Sequence, residues 1–349
     1  MESYSPNYSA TTLILDGAHA VRRGMYAPNT RSLSNNQGVP TGGIFSFFNS
    51  LKSTISSIRA NALVVIWEGG HSERRNAIYP EYKDRHIDPD APPELDQFGM
   101  TDYQYYGHQL SWIQKILEYY GIPQLCVPGK EGDDTLYQAT RLLRGHKVIV
   151  SEDRDFFSLV SDDIACYRPI KKEYVELGSF QRITGYKSPR HFLYGKCMLG
   201  DGSDNIPAVA KGVGEGTVLS VLDRIEDPEE VTTSRILKEA ASFHKTRHDK
   251  LVAAGEQAIN RNLDLIDISR ESFDIFQLKS LVETLEKQVY PDTVMTTKLF
   301  RALDFSQDTI NFINNSLVNM STFPISQLVD KSYLKKVVMF GTSILGDTQ

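Results

Sequence analysis

Cysteine is scarce in this sequence. There are three in 349 residues (Cys126, Cys166 and Cys197), an odd number with no CxxC spacing. That excludes a disulfide scaffold and a zinc knuckle, and it predicts a reducing compartment. Long apolar runs are also missing. The longest strongly apolar stretch, ALVVIW at 62–67, is far short of a membrane span. The opening MESYSPNYSATT lacks the basic-then-apolar layout of a secretory signal. There is no internal repeat and no low-complexity tract. With 40% apolar and 23% charged residues, the chain has enough core formers to fold as a globular protein. These absences predict a cytoplasmic protein with no membrane partner.

The net charge of −6 argues at first against a polyanionic partner. The sum is misleading, because nine of the 44 acids are candidates for one metal site. Without those nine the remaining charge is slightly positive, so net charge does not decide the partner.

Short β-branched runs alternate with helical patterns in the first half. TLIL (12–15), ALVVIW (62–67), QLCV (124–127) and KVIV (147–150) read as strands. Helical stretches are expected over 45–59, over 105–119 and from about Asp133. The alternation predicts an α/β fold, with a mainly parallel central sheet and helices on both faces. Irregular stretches at 27–43 and 84–100 read as functional loops. Beyond residue 194 the texture turns helical, with patterns over 217–225, 234–243, 248–262 and 276–287. Two regions are therefore expected, a core over 1–194 and a mainly helical region over 195–349. The most charged part, 223–247, reads as an insertion.

The acids fall at strand ends. Asp16 follows TLIL and Glu68 follows ALVVIW. Glu131, Asp133 and Asp134 follow QLCV after a turn, and Asp153 and Asp155 follow KVIV. The carboxyl ends of parallel strands lie on one edge of a sheet, where ligands bind. Any one of these acids alone reads as a helix N-cap or turn residue. Together they form a like-charge cluster that needs compensating cations. Oxygen ligands without His or Cys favour Mg²⁺ or Mn²⁺ over zinc. A further pair, Asp201 and Asp204 in LGDGSDNIP, reads alone as an Asx turn. It is followed by Gly212, Val213 and Gly214, a turn opening a helix whose free amides suit a phosphate.

In this order the segments resemble the 5′-nuclease family: flap endonucleases, the 5′-exonuclease domain of bacterial DNA polymerase I, and phage 5′-exonucleases and RNase H enzymes. LILDG (13–17) is similar to the family's first metal strand. RRNAIYPEYK (74–83) resembles the segment before its helical arch. EGDD (131–134) and SEDRD (151–155) resemble its central acidic motifs. LGDGSDNIP through GVGEGT (199–217) resembles its helix–three-turn–helix element, and NRNLDLID (260–267) a later stretch of the phage members. The resemblance covers 12–222 well and the remainder loosely. Glu68 stands where the family usually has Asp.

The resemblance implies a PIN-like nuclease core with an arch insertion around 84–108 and a helix–three-turn–helix around 196–225. It implies two-metal-ion hydrolysis of DNA phosphodiesters by a 5′-3′ exonuclease or flap endonuclease, with RNase H action on RNA primers. Asp16, Glu68, Glu131, Asp133 and Asp153 are assigned to one ion, with Asp134 behind them. Asp155, Asp201 and Asp204 are assigned to the other. Lys83 and Arg23 are the candidates to stabilise phosphate charge. Duplex contacts are expected from Arg74, Arg75, Lys187, Arg190, Lys196, Lys211 and the 212–214 turn, where the resemblance also implies a K⁺ ion. The implied partners are branched or 5′-ended DNA, an RNA–DNA hybrid, and a single-strand-binding protein or polymerase. The protein is expected to be a monomer, in the host cytoplasm if phage-encoded. Two alternatives stay open. A Toprim-type primase or topoisomerase fragment explains EGDD and SEDRD but not Asp16, YPEYK or LGDGSDNIP. A catalytically inactive DNA-binding scaffold predicts neutralised acids, and none is neutralised here.

Overall fold

The computed structural model describes residues 10–27, 29–84 and 92–340. Six strands build one sheet: β1 (Thr11–Asp16), β2 (Ala62–Ile66), β3 (Gln124–Leu125), β4 (His146–Val150), β5 (Ile164–Arg168) and β6 (Glu173–Val175). Their order is β3-β2-β1-β4-β5-β6. All pairs are parallel except the antiparallel β5–β6 edge. Successive side chains on a strand point to opposite faces. Leu13, Leu15, Leu63, Val65, Val148 and Val150 therefore pack on one face, and Ile14, Val64, Ile66 and Ile149 on the other. Burial on both faces explains why these strands are continuous apolar runs.

Helices α1 (Gly17–Met25) and α2 (Gly42–Ser57) follow β1, and α3 (Glu73–Ile78) and α4 (Asp102–Tyr120) follow β2. Helix α5 (Gly132–Leu142) separates β3 from β4. After β6 come α6 (Leu177–Thr184), α7 (Pro189–Leu199), α8 (Glu215–Leu222), α9 (Thr233–Ala241), α10 (Thr246–Ile266), α11 (Ile275–Glu286), α12 (Thr293–Ala302), α13 (Gln307–Thr322) and α14 (Lys331–Phe340). Helix α4 shows how local chemistry sets bounds. Thr101 and Gln104 form a reciprocal capping box at its start. At its end Gly121 takes φ 70°, and a Cβ there would lie 2.5 Å from the Val289 carbonyl oxygen. None of the described helices is long and apolar enough to cross a membrane.

The structure redraws the expected division at 194/195. Helix α7 runs straight through it. One apolar cluster extends from Ile14 through Leu136 to Val218, Ile259 and Leu285. Helices α12 and α13 return to the opposite face, where Phe300 meets Phe48 edge-on at 4.9 Å. The C-terminal half is thus packed on both faces of the sheet and does not stand apart. The arch expectation at 84–108 falls partly on 85–91, outside the described residues. Among the described part, 92–101 is a loop, turned about Asp96, whose Oδ1 accepts from the amides of Phe98 and Met100 at 2.9 and 3.0 Å. Helix begins only at Asp102, and Tyr105 is a core residue with no exposure.

Candidate active site

Register brings the acids together. Asp16 pairs with Ile66, two residues before Glu68, and Leu15 pairs with Val150, just before the SEDRD turn. Asp16 caps α1 by accepting from the His19 amide at 3.0 Å, and it accepts from Ser151 Oγ at 3.0 Å. Glu131 is the N-cap residue of α5, and Glu68 Oε1 accepts from the Gly132 amide at 3.2 Å. Asp155 opens a 3-10 turn, its amide bound to Asp153 Oδ1 at 2.8 Å. Asp201 caps the Gly202–Asp204 turn after α7, and Asp204 is the last residue of that turn.

The charges interact. Burial, then the Asp153 and Asp16 charges, push the Asp133 carboxyl far above the usual range. Burial and then Glu131 raise Glu68 to about 6. Burial and then Asp153 raise Asp155 to about 6. Burial raises Asp204, with Asp201 and Asp155 adding to it. The acids from four strand ends and from the turn after α7 thus form one electrostatic unit.

Two lysines enter this unit. Lys83 Nζ donates to Glu131 Oε2 at 2.7 Å and lies 3.7 Å from Asp204. Its amide donates to the Asp204 carbonyl at 3.0 Å. Lys83 holds a left-handed φ of 53°, a conformation costly for a side chain and found where the surroundings over-determine it. Burial pushes the Glu131 carboxyl up, but Lys83 and Arg75 outweigh it and hold the carboxyl below its ordinary range. Lys196 donates to Asp155 and, at 2.9 Å, to Asp201. Lys196 was expected on the duplex surface; instead it stands among the acids.

Other expectations change as well. Arg75 does not face solvent. It is 1% exposed, and its guanidinium donates twice to Asp134, at 2.7 Å each, and once to the Leu265 carbonyl. Asp134, with no exposure, is Arg75's partner, and the same guanidinium lies 3.6 Å from Glu131. Arg74 bonds Glu271 at 3.0 Å and the Asp264 carbonyl at 2.9 Å. Lys187 is paired with Glu226, and Arg190 donates to the Val231 carbonyl. Val213 is buried and its amide serves the Ala210 carbonyl, so only Gly212 and Gly214 of that turn stay exposed beside Lys211. Arg23 reaches Ser50 Oγ on α2, within the field of Glu152 and Asp16.

Sequence reasoning missed Glu271, which is 1% exposed and accepts from Ser72 Oγ at 2.8 Å, Arg74 Nε at 3.0 Å and Lys130 Nζ at 2.7 Å. Ser72 caps α3, and its amide donates to Glu131 at 3.3 Å. Glu271 thus ties the helical half to the residue that carries Lys83. It lies in no motif, so no local signal marks it. Tyr82, whose hydroxyl donates to Glu131 at 3.0 Å, lay within a motif but went unassigned.

The donor set fits divalent cations by its chemistry. Eight carboxylates share the edge with two ammonium groups, and burial with mutual repulsion makes several of them harder to ionise. Among the described residues no three acids, histidines or cysteines surround a common point, and several of the carboxylates are engaged on Lys83, Lys196 and Ser151. A pH dependence follows. Glu68 and Asp155 are raised carboxylates, so below about pH 6 an arriving cation must displace their protons. Above that value they are already charged. The rise in melting temperature on adding Mg²⁺ should therefore be larger at pH 8 than at pH 5.5. An equal rise at both, read by scanning calorimetry, would remove these two carboxylates from the ion sites.

The chain is similar to known proteins over most of its length. Residues 11–184 match the family model described as 5′-3′ exonuclease, N-terminal resolvase-like domain. A 5′-3′ exonuclease of Aquifex aeolicus is 32% identical over 224 residues, 63% of this chain and 72% of that protein. A 5′-3′ exonuclease of Bacillus subtilis is 25% identical over 307 residues, 84% of this chain and 90% of that protein. The crystal structure of the T5 D15 protein co-crystallized with metal ions shares the fold. Its TM-score is 0.59 at 18% identity, covering 89% of this chain and 99% of that one.

Proposed function

Since the chain belongs to the 5′-3′ exonuclease family, we propose that it is a structure-specific 5′-nuclease that hydrolyses phosphodiesters of DNA in replication or repair. The observation that carries this reading is that Asp16, Glu68, Glu131, Asp133, Asp153 and Asp155 stand at four neighbouring strand ends within one another's field, with Lys83 on Glu131 and Lys196 on Asp155. Asp16, Glu68, Glu131, Asp133 and Asp153 would hold one divalent ion, and Asp155, Asp201 and Asp204 a second. Hard oxygen donors favour Mg²⁺ or Mn²⁺. When bound, such ions supply a water of lowered pKa and positive charge on the phosphate oxygens.

The chain's own groups do the rest. Lys83 spans the Glu131 and Asp204 sides of the edge, placing its ammonium where a phosphate between the two acid groups needs a donor. Arg75 and Tyr82 hold Glu131 from beneath, and Ser151 holds Asp16. The exposed Lys211, Gly212 and Gly214 suit the backbone of a duplex, where contacts read phosphates and not sequence. Specificity is then for a 5′ end, flap or junction. On the same reading a K⁺ ion sits at that turn, an RNA–DNA hybrid is a second substrate, and the protein acts as a monomer beside a polymerase or single-strand-binding protein. The Toprim alternative gives no role to Asp16, Lys83 or Asp204, although they share the cluster.

The test is digestion of a labelled 5′-flap duplex, a nicked duplex and an RNA–DNA hybrid with Mg²⁺, Mn²⁺ or EDTA. Cleavage of the DNA substrates with either ion and none in EDTA is expected. Full cleavage in EDTA would sink the metal-dependent reading, and no DNA cleavage under any condition would favour an inactive scaffold.

A further inference from the structure

The stretch NRNLDLID (260–267) carries no acid of the edge and no group assigned to DNA. It forms the last turns of α10 and the residue after them. Its Asn262 is a polar side chain with no exposure. Both amide hydrogens of Asn262 are used. Nδ2 donates to the Cys197 and Pro207 carbonyls at 2.8 Å each, and Oδ1 accepts from Arg261 Nε at 3.1 Å and Nη2 at 2.9 Å. Donors on one side and acceptor on the other fix which way the amide points.

The two carbonyls are the feet of the turn that carries Asp201 and Asp204. Cys197 lies in the last turn of α7, where carbonyls have no partner within the helix. Pro207 follows the turn. Between them the segment closes on itself. Asp201 and Ile206 exchange amide-to-carbonyl bonds of 2.8 Å each. A Cβ on Gly200, at φ 74°, would lie 2.5 Å from the Ile206 carbonyl oxygen. The acid-bearing turn is a closed loop whose two ends are stapled to α10 by Asn262.

The same helix end holds the other acids. The Asp264 carbonyl accepts from Arg74 Nη1 at 2.9 Å, and the Leu265 carbonyl from Arg75 Nε at 2.8 Å. These are among the last carbonyls of α10, left over by the helix ladder at its negative end, so they suit guanidinium groups. Arg75 in turn grips Asp134 at 2.7 Å and stands 3.6 Å from Glu131. Further on, Glu271 takes Ser72 Oγ, and the Ser72 amide donates to Glu131 at 3.3 Å.

We propose that the end of α10 is a brace that sets the spacing between the two groups of acids, with Asn262 as the positioning residue for Asp201 and Asp204. The proposal rests on the two-ion reading of the edge. Asn262 acts through the backbone of the turn and touches neither ion nor DNA. A neutral amide suits this task, because it holds two carbonyls without adding charge to a site crowded with acids. Removing partners of this kind from behind metal-holding groups typically costs about 10–100-fold in metal affinity or activity.

The test is calorimetry of Mn²⁺ binding to the full chain without DNA, well below the melting temperature. Wild type should take two ions. Asn262→Ala should keep one and bind the other roughly tenfold more weakly. Its Kd for a 5′-flap substrate in EDTA should match wild type. Its single-turnover cleavage should fall roughly tenfold at low Mg²⁺ and recover in part at high Mg²⁺. Unpairing two carbonyls also lowers the melt. Ile259→Ala, a fully buried change one turn earlier on α10, is therefore the control, and it should lower the melt while leaving both ions bound as in wild type. If Asn262→Ala does not fold, Asn262→Ser, which keeps a single donor, is measured in the same way. A folded Asn262 variant with both ions at wild-type affinity overturns the brace. So does an Ile259→Ala that weakens the same ion by the same factor. A wild type that binds no divalent ion overturns the two-ion reading instead.

Discussion

Asp153→Asn is expected to cut single-turnover cleavage of a 5′-flap substrate by at least about a thousandfold while leaving DNA binding in EDTA equal or tighter. The change removes a carboxylate from the centre of the cluster, between the group around Asp133 and the group around Asp155, both of which feel its charge. It also removes negative charge from the path of a phosphate, so affinity has no reason to fall. Asp16→Asn should give the same pattern. Its carboxylate arrives from a strand more than a hundred residues away in sequence, yet it adds to the field that raises Asp133. Normal turnover in Asp16→Asn would mean that the strand ends do not serve one site, and the two-metal assignment would go with it.

Arg75→Met should destabilise the protein by about 3–5 kcal/mol, because it leaves the Asp134 carboxylate buried without its partner. A melting temperature lower by about 4–7 °C is expected from a loss of that size in a chain of 349 residues. The double variant Arg75→Met/Asp134→Leu should recover part of it, since removing both charges costs less than stranding one. The measurement also separates the two roles considered for Arg75. A DNA-contacting arginine would change the salt dependence of binding and leave the melt alone. If Arg75→Met melted like wild type, the buried pair would not be what holds α3 against α5.

Much of the catalytic edge was legible before any coordinates. Apolar runs ending in acids follow from local rules: a strand buried on both faces must be apolar, and a parallel strand presents its carboxyl end to one edge. Asp16, Glu68, Glu131, Asp133, Asp153 and Asp155 could therefore be gathered from strand ends alone. Helices α8 to α11 were also visible in outline, because their apolar stripes repeat at helical spacing. Strands β5 and β6 were not. They are short, they mix polar with apolar residues and they form the less buried edge of the sheet. Helices α12 and α13 were missed for a related reason: their partners are α2 and α4, far back in the chain.

The sequence by itself determined the strand-end acids, the turn at 212–214 and the doubly covered sheet, since each is written in residues a few positions apart. Only the tertiary structure decided which charges meet. Arg75 and Asp134 are 59 residues apart, Lys196 and Asp155 are 41, and Arg74 and Glu271 are 197. A basic residue beside an acidic motif looks the same in sequence whether its side chain reaches solvent, a phosphate or a buried carboxylate. Burial makes the difference. A guanidinium without exposure must find its anion inside the protein, and which anion is within reach depends on how α3, α5 and the helical half pack on the sheet.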